Sequence, residues 1–166
     1  LIQRWLNMPH VKKWWNQDIQ WNSEIIKDKY DSYVDGYKLV NGQRKSIQPY
    51  IIKIDSKLIG YIQLYNLHDY HNLPELKDYS KPLMSIDIYI GEPDFLNKGL
   101  GTRALNVFIM QHANKMDNAI FVAADKNNIA ALKMYLACGF KEDKQVENEI
   151  WLLYNHATGV ILISNN

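Results

Sequence analysis

The spacing of hydrophobic residues divides the chain into a helical first part and a remainder made mostly of strands. Over residues 5–36 the apolar positions recur at helical intervals, with Asn22 or Ser23 as an N-cap and Gly36 as the stop. Residues 41–46 are polar and are predicted to form a connector. After this connector, short apolar runs alternate with turn residues, which predicts strands.

Six short runs and two longer periodic segments follow the connector. The predicted strands cover residues 50–54, 58–65, 85–90, 119–124, 140–146 and 149–154, and the predicted helices cover residues 100–114 and 128–137. A polar loop over residues 66–82 is too long for a simple connector, and such loops often carry function. Residues 158–163 would add an edge strand or hang loose. A strand, loop, helix and strand unit among mixed strands predicts an α/β or α+β fold.

Length and composition fit one globular domain. The chain has 166 residues, of which 47% are hydrophobic and 22% are charged, so we expect a single domain over residues 1–166 and exclude disorder. The sequence begins at Leu1 rather than Met, and we expect a natural N-terminal strand to be missing from this numbering.

Charge and cysteine content exclude several kinds of partner. Lys plus Arg (19) nearly balance Asp plus Glu (18), and the net charge of +1 provides no basic field for nucleic acid or an anionic membrane. The apolar runs are far shorter than the roughly 20 residues of a membrane span. Cys138 is the single cysteine, which favours a reducing compartment and predicts a cytoplasmic protein.

A glycine loop lies between a predicted strand and a predicted helix. Residues 98–102 (Lys-Gly-Leu-Gly-Thr) would leave backbone N–H groups free at the helix N-terminus, where phosphate binds readily. The alternative is a tight turn that needs glycine for its backbone angles. Ala104 and Asp125 fit parts of a dinucleotide-binding fingerprint, but the elements before residue 85 do not form a doubly wound sheet.

A second motif follows at residues 128–140, with the pattern Asn-x-x-Ala-x-x-x-Tyr-x-x-x-Gly-Phe. Together with the strand and the glycine loop before it, this order of elements resembles the Gcn5-related N-acetyltransferase (GNAT) superfamily over residues 50–154. The resemblance implies a mixed, mostly antiparallel sheet of about six to seven strands. Helices would flank this sheet, which would be splayed between the strands at 85–90 and 119–124. Leu96 departs from the superfamily pattern, which has Gln or Arg there.

The resemblance implies acetyl-CoA as the donor and no metal. The pyrophosphate would lie on the amides of the glycine loop and the pantetheine along the end of the preceding strand. The implied cofactor contacts are Ile88, Tyr89, Ile90, Asn97, Lys98, Gly99, Leu100, Gly101, Thr102, Asn128 and Ala131. His68 and His71 have a spacing that metal sites use, but no second cluster accompanies them, so solvated histidines are expected.

Two residues are candidates for acid–base chemistry. Asp87 interrupts an apolar strand, and because burying an unpaired carboxylate is costly, a base or an anchor for an ammonium group is predicted there. The alternative is an outward-facing residue on a half-exposed strand. By resemblance Tyr135 is the general acid that protonates the leaving thiolate, and a phenol with a pKa of roughly 10 suits that role. Without the resemblance, Tyr135 would be a core tyrosine.

Shorter matches extend the resemblance to the aminoglycoside 6′-N-acetyltransferase branch. They lie at residues 5–7, 10–11, 14–15, 49–51, 59–63, 86–87 and 98–102. The branch implies a small-molecule primary amine as acceptor, in particular the 6′-amine of a polycationic aminoglycoside, and an antibiotic-resistance type of function. The candidate substrate contacts are Trp14, Trp15, Tyr33, Asp69 and Asp87. Core packing is the alternative for the tryptophans.

Local charge agrees with a cationic acceptor, because residues 66–94 contain six acids against two lysines and predict an acidic cleft. One departure is that Ala123 and Ala124 stand where that branch commonly has an acid, with Asp125 displaced.

The open alternatives are a siderophore-pathway hydroxylysine N-acyltransferase, a ribosomal-protein N-terminal acetyltransferase and a non-catalytic CoA-binding module. The predicted assembly is a monomer or a homodimer.

Overall fold

The computed structural model describes residues 1–71, 73–79, 83–112 and 119–155. The described helices are α1 (Ile2–Leu6), α2 (Pro9–Lys12), α3 (Ser23–Val34), α4 (Leu100–His112) and α5 (Ile129–Ala137). The described strands are β1 (Tyr37–Val40), β2 (Gln43–Ile54), β3 (Lys57–Asn66), β4 (Met84–Ile90), β5 (Ile120–Asp125), β6 (Lys141–Val146) and β7 (Glu149–Tyr154). None of the helices within these ranges is long and apolar enough to cross a membrane.

The strands form one seven-stranded sheet in the order β1-β2-β3-β4-β5-β7-β6. Neighbouring strands are antiparallel except β4 and β5, which are parallel. Helix α3 packs on one face of the sheet, and α4 and α5 pack on the other. The predicted fold class, a mixed and mostly antiparallel sheet flanked by helices, is confirmed.

Local sequence sets the ends of two helices. The Asn22 side chain accepts a hydrogen bond from the Ile25 N–H at 2.9 Å and caps α3. In the same way, Asn128 accepts from the Ala131 N–H at 3.2 Å and caps α5. Gly139 ends α5 with a φ of 89°, a left-handed conformation that favours glycine.

The polar segment 41–46 is not the connector that its composition predicts. Asn41 and Gly42 adopt φ values of 50° and 76° and form a two-residue turn, so that β1 and β2 pair directly as a hairpin. The polar residues that follow the turn lie in the mostly exposed start of β2. The predicted loop 66–82 contains two 3₁₀ turns, Leu67–Asp69 and Pro74–Asp78. The predicted edge strand at 158–163 lies outside the described residues.

Strands β4 and β5 separate soon after they begin. They pair only at Met84 with Ile120 and at Ser85 with Phe121, so the edge of β4 that faces β5 is unpaired from residue 86 onward. The splay predicted between these strands is therefore present. A gap in the middle of the sheet results, bordered by the later residues of β4.

The first two helices fix the far end of β4. Trp5 is fully buried against Gly91, where an added Cβ would lie 2.2 Å from Trp5 Cγ, so only glycine fits. The Trp5 indole N–H donates to Glu92 at 2.8 Å. His10 Nε2 lies 3.0 Å from the carbonyl oxygen of Ile90. These contacts hold the end of β4 in place beside the gap.

Candidate active site

A cavity of about 440 Å³, here called the aromatic cavity, opens on the α3 face of the sheet. Its floor comes from β3 and β4, and its walls come from α3 and the segment after α2. Trp14, Trp15, Tyr30, Tyr33, Tyr65 and Tyr70 provide its rings. Polar and charged side chains that line it are Asn16, Lys29, Lys38, Gln63, His71, Asp87 and Glu149.

Asp87 is held at the floor of the aromatic cavity by a chain of hydrogen bonds. Gln63 lies opposite Asp87 in the β3–β4 register, and its Nε2 donates to Asp87 Oδ2 at 2.6 Å. The Tyr61 hydroxyl donates to Gln63 Oε1 at 2.8 Å, and the Tyr65 hydroxyl donates to Asp87 Oδ1 at 3.4 Å. Since strand residues alternate between faces, Tyr61, Gln63 and Tyr65 all point to the same side.

Burial raises the pKa of Asp87 above its ordinary value, and the hydrogen bonds from Gln63 and Tyr65 partly oppose this. The result is a fixed carboxylate that is more basic than a solvated aspartate. Burial also raises the pKa values of Tyr30, Tyr33 and Tyr65, so these phenols stay neutral. Asp87 is therefore able to anchor an ammonium group or accept a proton from it.

A second cavity, here called the split cleft, lies where β4 separates from β5. It has a volume of about 440 Å³ and extends to the first turns of α4 and α5. Predicted cofactor residues that line it are Ile88, Tyr89, Ile90, Asn97, Gly99, Leu100, Gly101, Thr102, Asn128 and Ala131. Lys98 does not line the cleft; its side chain is exposed and its Nζ lies 5.8 Å from the centre of the Phe95 ring.

The glycine loop presents the start of α4 to the split cleft. Asn97 and Gly99 adopt left-handed φ values of 57° and 70°, and the Gly99 carbonyl accepts from the Arg103 N–H at 3.0 Å. The first amides of a helix lack partners within the helix and attract anions. At Gly101 an added Cβ would lie 3.1 Å from Met134 Sδ, so glycine here allows close packing against α5.

Tyr135 lies on the other side of the sheet from Asp87. It is buried on α5, its ring centre is 5.5 Å from that of Phe140, and it is absent from the lining of both cavities. Burial raises the pKa of Tyr135 above its ordinary value, and the negative charge of Asp87 raises it further. Its hydroxyl is therefore neutral, and it is electrostatically coupled to Asp87.

Two of the six acids predicted to form a cleft are held in salt bridges. Asp69 Oδ1 lies 3.0 Å from Lys45 Nζ, and Glu92 pairs with Arg4. Asp69 thus lies apart from the other four predicted substrate residues, Trp14, Trp15, Tyr33 and Asp87, which line the aromatic cavity. Among the described side chains of the six predicted acids, only Asp87 lines the aromatic cavity, where Glu149, which lies outside the predicted stretch, is the second carboxylate.

Sequence reasoning assigned Trp14, Trp15, Tyr33 and Asp87 to the substrate site and missed the other residues that line the aromatic cavity, among them the polar residues Lys29, Lys38, Gln63 and Glu149. Gln63 carries the same signal as Asp87, since it is a polar residue inside an apolar strand. Glu149 gives no such signal, because it lies at the start of β7 and comes to the cavity only when β7 pairs with β5. The two lysines belong to α3 and β1, which only the folded chain brings together.

Three further candidate groups from the sequence are His68, His71 and Cys138. Only His71 lines one of the two cavities, namely the aromatic cavity. Within the described ranges, no group of three or more His, Cys, Asp or Glu side chains is placed to hold a metal ion. Cys138 is buried, its thiol contacts the Thr102 carbonyl at 3.5 Å, and burial raises its pKa to about 11. It fills space between α5 and α4.

The family of the chain follows from comparison with known proteins. The family model described as an acetyltransferase (GNAT) domain matches residues 1–148. The chain belongs to the GNAT acetyltransferase family. The family predicted from the sequence is thereby confirmed, together with the prediction that the chain is an N-acetyltransferase.

Named relatives of this GNAT chain are aminoglycoside acetyltransferases. It is 22% identical over 147 residues to aminoglycoside N(6′)-acetyltransferase type 1 of Klebsiella pneumoniae, covering 88% of this chain and 70% of that protein. The crystal structure of the aminoglycoside acetyltransferase AAC(6′)-Ib with coenzyme A aligns with a TM-score of 0.78 at 20% identity, covering 93% of this chain and 87% of the other. The complex of the same enzyme with coenzyme A and kanamycin gives 0.77, with the same identity and coverage. These likenesses show a shared fold.

In this GNAT domain the two cavities meet at β4. Asp87 lines the aromatic cavity, whereas the next three residues of the strand, Ile88–Ile90, line the split cleft. Trp14 lines both. Two molecules bound in the two cavities would therefore meet next to Asp87.

Proposed function

We propose that this GNAT domain transfers the acetyl group of acetyl-CoA to a primary amine, and that the acceptor is the 6′-amine of an aminoglycoside. The observation that carries the transfer is the meeting of the two cavities at β4, with Asp87 in one and the α4 amides in the other. The names of the relatives and the aromatic walls support the aminoglycoside acceptor. Sugar rings stack well on tryptophan and tyrosine faces.

The residues of the split cleft fit acetyl-CoA. The unpartnered amides at the start of α4 suit a pyrophosphate, and the left-handed Gly99 leaves space above them, since nothing lies within 4 Å of an added Cβ. The edge of β4 beside Ile88–Ile90 has no partner among the described strands, and apart from the Ile90 carbonyl, which His10 contacts, it offers backbone groups to the amides of the pantetheine arm. Asn128 would act indirectly, because its side-chain oxygen caps α5. Acetyl-CoA supplies an electrophilic acetyl group and a thiol as leaving group.

Asp87 would bind the acceptor amine and accept a proton from it, directly or through water. The freed nitrogen lone pair then forms a bond to the acetyl carbonyl carbon, and the carbon–sulfur bond breaks. Tyr135 would give its hydroxyl proton to the departing sulfur. The nitrogen, positively charged after it has attacked, would then lose its second proton, directly or through water, to the Tyr135 oxygen, so that a neutral amide and a neutral phenol result. Besides transferring protons, the site would hold the amine next to the thioester. The reaction then needs no bimolecular encounter between the two reacting groups, which lowers its barrier.

The test is release of free thiol from acetyl-CoA in the presence of single amines. Kanamycin-type and tobramycin-type aminoglycosides should support turnover, and a ribosomal N-terminal peptide and N-hydroxylysine serve as competing acceptors. Turnover with another amine alone would keep the acetyl transfer and overturn the aminoglycoside acceptor. Tight coenzyme A binding without thiol release from any of these amines would overturn the transfer and favour a binding module.

Replacement of Tyr135 tests the proposed general acid. Tyr135→Phe keeps the buried ring and removes only the hydroxyl, so we expect kcat to fall about 10²-fold or more while coenzyme A binding is unchanged. Tyr154→Phe, which alters a tyrosine of β7 that lines neither cavity, is the matched control. Unchanged turnover of Tyr135→Phe would remove Tyr135 from the mechanism.

We further propose that the enzyme acts in the cytoplasm, where acetyl-CoA is available, as a monomer or a homodimer. Resistance to an aminoglycoside would be a consequence of the transfer, and it needs its own test. Expression of the wild-type chain in a susceptible bacterium should raise the inhibitory concentration of a drug that is acetylated in vitro, and Asp87→Asn should abolish the increase. An equal increase with both chains would show that resistance has another cause.

A further inference from the structure

Two lysines lie against one phenylalanine ring at the edge of the split cleft. Phe95 lies between the end of β4 and the glycine loop, and it lines this cleft. Lys57 Nζ and Lys98 Nζ each lie 5.8 Å from the centre of its ring. The two lysines come from different parts of the chain, since Lys57 begins β3 and Lys98 belongs to the glycine loop. The fold therefore brings two ammonium groups to the same side chain beside the cleft.

Neither ammonium group has a carboxylate partner. None of the ion pairs and hydrogen bonds between the described side chains includes Lys57 or Lys98. Asp55 and Asp94, the acids nearest to them in sequence, are exposed and lie beyond ion-pair distance. A separation of 5.8 Å is close to the limit of about 6 Å for attraction between a cation and a ring, so Phe95 holds the lysines only weakly. Both exposed ammonium groups are thus available to an anion at the edge of the cleft.

We propose that Lys57 and Lys98 bind the 3′-phosphate of the coenzyme A donor. This inference rests on the proposed use of acetyl-CoA, and it does not depend on which amine accepts the acetyl group. It deepens the proposed function by naming the part of the donor that the edge of the cleft selects. A thioester carried on the phosphopantetheine of a carrier protein has no such phosphate, so the subsite favours free acetyl-CoA as the source of the acetyl group.

The order of groups along coenzyme A fits the order of residues around the cleft. In the proposed function the pantetheine lies beside Ile88–Ile90 and the pyrophosphate on the amides at the start of α4. The adenosine, which carries the 3′-phosphate, follows the pyrophosphate and would lie at the edge of the cleft. Lys57 and Lys98 lie just outside the cleft lining, next to Phe95, which belongs to it. A phosphate monoester carries a charge of about −1.5 to −2 at neutral pH, which two ammonium groups would balance.

The experiment compares two ligands that differ only in the 3′-phosphate. Coenzyme A and 3′-dephospho-coenzyme A are titrated into the protein and followed by calorimetry, which requires neither an acceptor nor turnover. Coenzyme A should bind about tenfold more tightly, because contacts of exposed charges each contribute modestly. This ratio of affinities should shrink as sodium chloride is added, because salt screens exposed charges.

Variants link the ratio to the two lysines. Lys57→Gln and Lys98→Gln should each reduce it to about threefold, and the double variant should abolish the preference while 3′-dephospho-coenzyme A binds nearly as before. Lys98→Arg should retain the preference, because the charge is kept. The matched control is Lys53→Gln, which changes an exposed lysine that lines a groove between β2 and α4 instead of the split cleft, and it should leave the ratio unchanged. Thermal melts would confirm that each variant folds.

The outcomes separate this inference from the proposed function. If neither ligand binds, the acetyl-CoA donor is wrong, and the proposed transfer and the subsite are both overturned. If coenzyme A binds but no amine causes thiol release, the transfer is overturned and the ratio of affinities still decides the subsite. Equal binding of the two ligands, a ratio that does not change with salt, an equal loss in Lys53→Gln, or a preference that survives in the double variant overturns the subsite even when the enzyme turns over.

Discussion

The position proposed for Asp87 in the mechanism carries an energetic cost. Its folded-state pKa is raised by burial, so its contribution to stability is present below the unfolded pKa and is lost as the pH rises through the folded pKa. Between these two values the folded protein binds more protons than the unfolded chain, and the free energy of unfolding falls with rising pH. A buried carboxylate of this kind makes the neutral-pH protein less stable than it would be with a neutral side chain.

Asp87→Asn should therefore have opposite effects on activity and stability. We expect acetyl transfer to fall by about 10²-fold or more, because the amide cannot accept the proton. The free energy of unfolding at neutral pH should rise, and its fall with increasing pH should become shallower. Urea denaturation from acid to neutral pH measures this. The control is Asp18→Asn, at an exposed position that lines neither cavity, which should behave as wild type. If Asp87→Asn kept the wild-type pH dependence of stability, Asp87 would not be the group with the raised pKa.

In the proposed mechanism, Gln63 is the positioning residue that orients this carboxylate through its hydrogen bond to Asp87 Oδ2. Gln63→Leu removes the 2.6 Å hydrogen bond to Asp87 and leaves the Tyr61 hydroxyl without its acceptor. We expect kcat to fall about tenfold and stability to fall by about 1–3 kcal/mol. In the wild type the hydrogen bond from Gln63 lowers the pKa of Asp87, so its loss should raise that pKa. The acidic limb of the kcat/KM profile should therefore move to higher pH.

Two milder variants grade the effect of Gln63. Tyr61→Phe removes only the hydrogen bond that holds the Gln63 amide, and Tyr65→Phe removes a longer bond of 3.4 Å to Asp87. Both should shift the acidic limb less than Gln63→Leu does. A loss of stability in Gln63→Leu without any shift of the pH profile would show that Gln63 is merely structural.

At the scale of elements, two asparagine caps allow a matched experiment. Asn128→Ala and Asn22→Ala each delete one side-chain cap and should each cost about 1 kcal/mol. Only Asn128 lines the split cleft, so only its variant should raise the KM for acetyl-CoA, by several-fold. Thermal melts and initial rates at varied acetyl-CoA measure both quantities. An equal rise in KM in both variants would mean that the effect comes from general destabilisation.

Elements with strong local signals are predictable, and those set by pairing are not. The strand predicted at 149–154 has the observed bounds of β7, because its apolar run ends in turn residues on both sides. Strand β1 was missed because its four residues gain their conformation from pairing with β2 around a left-handed turn at Asn41 and Gly42. The cleft residues come from motifs that are continuous in sequence. The aromatic cavity, by contrast, includes residues from separate elements, namely Lys29, Lys38 and Glu149. No local sequence pattern predicts that they lie in one cavity.

At the scale of the whole molecule, the gap in the sheet lies where the two cavities meet. Strands β3 and β4 form an antiparallel pair along most of their length, whereas β4 and β5 share only two residue pairs. The continuous pairing places Asp87 and its hydrogen-bond partners side by side on one face. The broken pairing leaves a passage toward α4 and α5 on the other. One strand thereby serves both cavities.

This arrangement predicts direct transfer with both substrates bound. The cavities share Trp14, and the single cysteine is buried with its pKa raised to about 11, so its thiol is a poor nucleophile. Double-reciprocal plots with varied donor and acceptor should intersect, and acetyl-CoA alone should give no burst of thiol. Cys138→Ala should keep kcat/KM and lose about 1 kcal/mol of stability from the small cavity it leaves. The opposite result would be a stoichiometric burst of thiol from acetyl-CoA without acceptor, which is lost in Cys138→Ala. It would establish that Cys138 is acetylated during turnover, and the buried face of α5 would then have to open.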